Sequence, residues 1–162
     1  MKKLLFCLCF LIYGCSYGHY DYFRDHSKSA INKNGYTIEI DDNITNYTLY
    51  VNNKSKNDIE IDWNRTSFIR NGQTDGGFMF EGIKYIDRNN PKNPTIIMSG
   101  TSREMNIYPN NLAYFQHNQY GGWKNSNIPD GENGVYLVFK QGSKEFREKL
   151  LITRTTKSVT DN

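Results

Sequence analysis

The stretch Val135–Thr155 reads VYLVFKQGSKEFREKLLITRT, and it decides the fold class. Val135 to Phe139 is apolar at positions that would face both sides of a strand, as expected of a strand covered on both faces at the centre of a sheet. A turn around Gly142-Ser143 follows, and then a second run, Phe146 to Thr153, so the pair reads as a β-hairpin. Lys144 to Leu151 is rich in helix formers and is the one helical competitor in the chain. Eight residues are too short for a helix to outweigh the hairpin.

Working outward, the same short runs recur. Tyr36 to Ile40 and Tyr47 to Val51 alternate apolar and polar residues, and Asp58-Ile59-Glu60-Ile61-Asp62-Trp63 places Ile59, Ile61 and Trp63 on one face and three carboxylates on the other. Further candidate strands are Phe78 to Phe80, Ile83 to Ile86, Thr95 to Met98, Glu104 to Tyr108 and Ala113 to Gln116. Asn71-Gly72, Asn89-Asn90-Pro91 and Ser99-Gly100 supply turns between them. Many short strands with frequent turns predict an all-β fold. An immunoglobulin-like antiparallel β-sandwich is preferred to a small β-barrel because Pro91, Pro94 and Pro109 fall in connections. The expected division is a sandwich over 35–157 with a short tail over 158–162, and no second domain.

The N-terminus, MKKLLFCLCFLIYGCSYG, has a different grammar: Lys2 and Lys3 precede an apolar run from Leu4 to Tyr13. That is the pattern of a signal peptide, and the run is about half of the ~20 residues a membrane span requires. Its end, Ile12-Tyr13-Gly14-Cys15, resembles the lipobox of bacterial lipoproteins, although Tyr13 stands where a small residue is usual. The resemblance implies removal of residues 1–14 and acylation of Cys15, with palmitate-type chains holding the protein on a membrane. Ordinary cleavage after Gly18 is the alternative. Ser16 rather than Asp after Cys15 resembles outer-membrane sorting in enteric-type bacteria, so the outer membrane is expected in preference to the inner. Residues 15–34 are then expected to form the lipidated cysteine and a tether.

The segment Asn52–Pro109, with NNKSKNDIEIDWNRTSFIRNG, GIKYID and IIMSGTSREMNIYP, is similar to small uncharacterised bacterial lipoproteins with β-sandwich bodies. The resemblance implies a fold and no activity.

Composition narrows the chemistry. All three cysteines, Cys7, Cys9 and Cys15, precede the body, so no disulfide, thiol nucleophile or cysteinyl zinc site is available within it. The chain carries 20 basic and 17 acidic residues, and Lys2 and Lys3 leave with the leader. The near-neutral remainder argues against nucleic acid as partner. Motifs for phosphate cradles, serine hydrolases and zincins are absent, and no cofactor or metal is expected. His19 and His26 bracket Asp21 and Asp25 in the tether, a poor place for a preorganised metal site. His117 reads as a surface residue. Asp58, Glu60 and Asp62 read as the wet face of a strand.

The most suggestive binding feature is the glycine-rich aromatic segment Gln119–Asn125, where Tyr120, Trp123 and Lys124 are the expected contacts. The competing reading folds Trp123 back over one end of the core. Asn43 and Asn64 match the acidic sequon of some bacterial glycosylation systems. The function expected from these features is that of a non-enzymatic, membrane-anchored envelope lipoprotein presenting a β domain to another envelope or surface protein. The alternatives are an inhibitor or exclusion lipoprotein, directed at lysozyme or at phage superinfection, and a glycan-binding module.

Overall fold

The computed structural model describes residues 27–117 and 121–155, together with the backbone of 22–23 and 157–158. Two antiparallel sheets face each other and do not close into a barrel, so the expected sandwich is the architecture of the protein. Strands are numbered in chain order, beginning with β1 (Tyr22–Phe23), which pairs with β15 (Lys157–Ser158). The first large sheet has the order β2 (Lys28–Lys33), β3 (Tyr36–Asp42), β4 (Tyr47–Asn53), β10 (Ser102–Pro109), β8 (Phe78–Phe80). The second is built on β13 (Gly131–Gln141). Its full length pairs with β14 (Lys144–Arg154) on one side, and the other side is shared by β5 (Ile59–Ile61) and β6 (Ser67–Arg70). Outside these lie β9 (Thr95–Ile97) and β7 (Gln73–Thr74).

The hairpin that decided the fold class is present: Gln141 pairs with Lys144 across Gly142-Ser143, and Gly142 takes a φ of 61°. A glycine in the first central position suits a type II′ turn, whose twist matches that of the strands. Asn71 and Gly72, both at positive φ, close the β6–β7 hairpin in the manner of a type I′ turn. Val135 to Phe139 is buried on both faces apart from half-buried Tyr136, as a central strand requires.

Alternation fills the interior. Tyr36, Ile38 and Ile40 from β3, Tyr47, Leu49 and Val51 from β4, and Phe78 and Ile107 face Ile59, Ile61, Phe68, Val135, Leu137, Phe139, Leu150 and Ile152 of the opposite sheet. Each aliphatic or phenyl side chain removed from water contributes roughly 1.5–3 kcal/mol. Tyr36 meets Phe139 and Phe146 edge to face.

Three expectations are corrected. The tether does not extend to residue 34: Lys28–Lys33 pairs residue for residue with β3, so the sheet begins at Lys28 rather than 35. An edge strand wets much of its surface, and only Ile31 of KSAINK packs against the core. Ile83 to Ile86 is not a strand; Gly82 turns at a φ of 86° and Tyr85–Asp87 is a single 3-10 turn. Pro109 is not in a connection but is the final paired residue of β10, opposite Phe78. In addition, β6 was not anticipated from sequence.

The β5–β6 line is one strand interrupted. Between the Ile61–Phe139 and Ser67–Tyr136 pairs, the five residues Asp62 to Thr66 stand opposite only Leu137 and Val138. Thr66 repairs the gap: its hydroxyl accepts the Val138 N–H and donates to the Asp62 carbonyl. The inserted residues also reach outward. Trp63 packs edge-on against Phe80 and donates its indole N–H to Thr95, while the Asn64 amide bonds both the N–H and the carbonyl of Lys92.

Two polar contacts tie β14 to the first sheet. Glu148 accepts from Lys33 and from the buried Tyr36 hydroxyl. At the other end of β14 the buried Arg154 makes a two-pronged ion pair with Asp42, through Nε at 2.9 Å and Nη2 at 2.7 Å. It also donates to the carbonyls of Asn43, Ile44 and Ile128. Its donors are thus matched by acceptors, the condition for burying a guanidinium at tolerable cost.

Candidate functional site

The expected contact segment is not a loop throughout. Gly122–Asn125 forms β12 and pairs with β11 (Ala113–Gln116), in the register Tyr114–Lys124 and Phe115–Trp123. Alternation along a strand then puts Phe115 and Trp123 on one face of the hairpin and Tyr114 and Lys124 on the other. Tyr120 lies outside the described residues, as do Cys15, His19, Asp21, Asp25 and His26.

Trp123 does not cap the core. It is 47% exposed and stacks on Tyr85 with 8° between the ring planes. Phe115 meets it edge-on at 4.9 Å, and the exposed His117 meets Phe115 edge-on at 4.6 Å. Arg88 lies 3.9 Å over the Tyr85 ring, within reach for a cation–π attraction, and the Tyr85 hydroxyl donates to the Ala113 carbonyl. The result is a surface group of four aromatic rings and a guanidinium drawn from two distant segments. Lys124 is exposed on the opposite face of the hairpin.

The segment that supplies Tyr85 and Arg88 is itself held in place. Asn64 grips Lys92, and the Lys92 ammonium donates to the Arg88 and Asn90 carbonyls. Burial pushes that ammonium below the usual lysine range. Lys92 also lines an open groove of about 650 Å³, together with Phe80, Ile83, Lys84, Asp87 and Thr95. Aromatic rings with arginine on a supported surface are the composition of binding hot spots. Nothing in the group resembles a nucleophile with its base.

The remaining candidates are placed as follows. Asp58 accepts the Ser99 N–H, Asp62 accepts the Asn64 N–H, and Glu60 sits mid-strand between Lys140 and Ile96. Among the described residues no three histidine or acidic side chains converge as metal ligands. The Asn43 amide donates to Thr48, and the Asn64 amide is engaged with Lys92. Of the contacts expected from sequence, Trp123 joins this group and Lys124 faces away from it, while Tyr85, Arg88 and Phe115 were not anticipated. Comparison with protein-family models, with curated proteins and with solved structures returned no match.

Proposed function

We propose that the protein is an exported envelope lipoprotein, held by lipid on Cys15, that works by contact with another envelope or surface protein rather than by catalysis. The observation that carries the contact half is the Tyr85–Trp123 stack with Phe115 and Arg88: large apolar faces left half-exposed on a hairpin whose base is tied to the body. Such rings lose little conformational entropy on binding, because their neighbours already hold them. The anchor half is supported by the Cys15 sequence pattern and by a body without other cysteines. The outer membrane is the preferred site.

A photo-crosslinking amino acid at Ile86, exposed and next to Tyr85 in the same turn, tests the contact in intact envelopes. A discrete adduct lost on Trp123→Ala is expected, and cross-links only to bulk protein, unchanged by that substitution, refute it. The mass of the mature N-terminus tests the anchor: acylated Cys15 is expected, and a chain starting at His19 with a free amine refutes it.

A further inference from the structure

The chain enters and leaves the sandwich at one end. Lys28 opens β2 opposite Asp41, and Arg154 closes β14 opposite Gly131. Because neighbouring strands are antiparallel, the β3–β4 turn at Asn43–Asn46 stands at this same end. So does the base of the β11–β12 hairpin, which is entered from Pro109 at the finish of β10 and left through Ser126, bonded to the Leu112 carbonyl.

Apolar side chains are exposed here on two separate elements: Ile44 is 54% and Tyr114 46% exposed, with Lys124 paired beside Tyr114. Ile44 does not sit on a slack loop. Its carbonyl accepts from the Ile128 N–H and from Arg154, which also bonds the Asn43 carbonyl and Asp42. The fold therefore pins the backbone while leaving the aliphatic side chain in solvent.

We propose that this end of the sandwich rests on the bilayer that holds Cys15, with Ile44 and Tyr114 seated in the headgroup layer and Lys124 among the lipid phosphates. The proposal rests on the reading of Cys15 as lipidated. Tyr22, where pairing with β15 begins, stands seven positions after Cys15, a reach of ~23 Å when extended, and Lys28, where the sandwich begins, stands thirteen positions after it. Tyrosine favours the membrane interface, with its ring among the acyl ends and its hydroxyl in water, and lysine is drawn to anionic headgroups. A tether this short converts weak insertion into an intramolecular event at high effective concentration. The Tyr85–Trp123 surface then lies alongside the membrane, and its partner is one displayed at the lipid surface.

Mature protein from the full-length chain, carrying Ile44→Cys, Tyr114→Cys or Ser143→Cys, is labelled with the fluorophore NBD and bound to vesicles of phosphatidylethanolamine and phosphatidylglycerol. Ser143 lies in the turn at the opposite end. Labels at 44 and 114 should emit further to the blue and bleach several-fold more slowly in external dithionite than the label at 143. Intact mass on the same samples reads the acylation of Cys15 separately. An acylated chain whose three labels bleach alike overturns the seating and leaves the anchor standing; a chain without acyl groups overturns both. Protection that grows with the protein-to-lipid ratio marks a second copy of the chain as the occupant and also overturns the proposal.

Discussion

Breaking the Asp42–Arg154 pair from one side should cost nearly as much as deleting it from both. The side chains are 2% and 4% exposed, so neither charge can recover its hydration when its partner is lost. Asp42→Ala removes two charge-assisted hydrogen bonds, at about 1.5–3 kcal/mol each, and strands a guanidinium among carbonyls, for a total of about 3–5 kcal/mol. At this chain length that corresponds to a fall in Tm of roughly 6–20 °C. Arg154→Met should cost a similar amount, because it takes the two-pronged ion pair from the buried Asp42 carboxylate and frees the Asn43 and Ile128 carbonyls. Asp42→Ala with Arg154→Met removes both buried charges and should cost little more than either change alone. The measurement is urea unfolding by circular dichroism for all four chains. Single-variant losses below about 1 kcal/mol, or a double variant whose loss is the sum of the two, would refute the argument, since a coupled pair must show non-additivity.

Thr66→Val leaves the Val138 N–H and the Asp62 carbonyl without their bridge and should cost about 1–3 kcal/mol in the same assay, whereas Thr66→Ser should retain most of it. Glu145 is held down to about 2 by hydrogen bonds from Arg65 and Arg147. A carboxylate depressed in the fold stabilises above its unfolded value and loses that stabilisation as pH falls through the folded one. The stability gap between the native chain and Arg65→Ala should therefore be flat near neutrality and close between about pH 4.5 and 2. Burial, aided by Glu148 at Tyr36 and by Asp42 at Tyr47, pushes both phenols above the usual tyrosine range. Ultraviolet titration should find these two ionising only as the protein unfolds in alkali, and ionisation of Tyr36 and Tyr47 together with the exposed tyrosines would contradict their burial.

The parts of the fold legible in sequence are those where one periodicity runs uninterrupted. β3, β4 and the β13–β14 pair alternate or stay apolar throughout, and each was anticipated within a few residues. β6 was hidden because Phe68 and Ile69 are both buried, on opposite faces, just after an insertion that breaks the pattern of β5. KSAINK carries one packed side chain, so its pairing is enforced by β3 rather than by its own apolar content. GIKYID carries the residues of a strand, but the turn at Gly82 redirects the chain, leaving Ile86 81% exposed. The candidate site was partly legible for a similar reason. Trp123 beside glycine is a local signal, whereas its union with Tyr85 and Arg88 joins residues nearly forty positions apart, and no periodicity encodes that proximity.

The placement of the chain ends has a mechanical consequence. β2 and β14 are edge strands of opposite sheets, and β2 begins and β14 finishes at the same end, where Lys28 and Arg154 lie. Tension between the termini would load each ladder one rung at a time, Lys28 from Asp41 and Arg154 from Gly131, in the manner of a zipper rather than in shear. Once the short β1–β15 pair has parted, the next resistance is the clasp of Arg154 on Asp42, which bridges the two sheets where peeling of the sandwich starts. A sandwich so arranged yields to force in small steps, and its toughness under pull is concentrated in one ion pair.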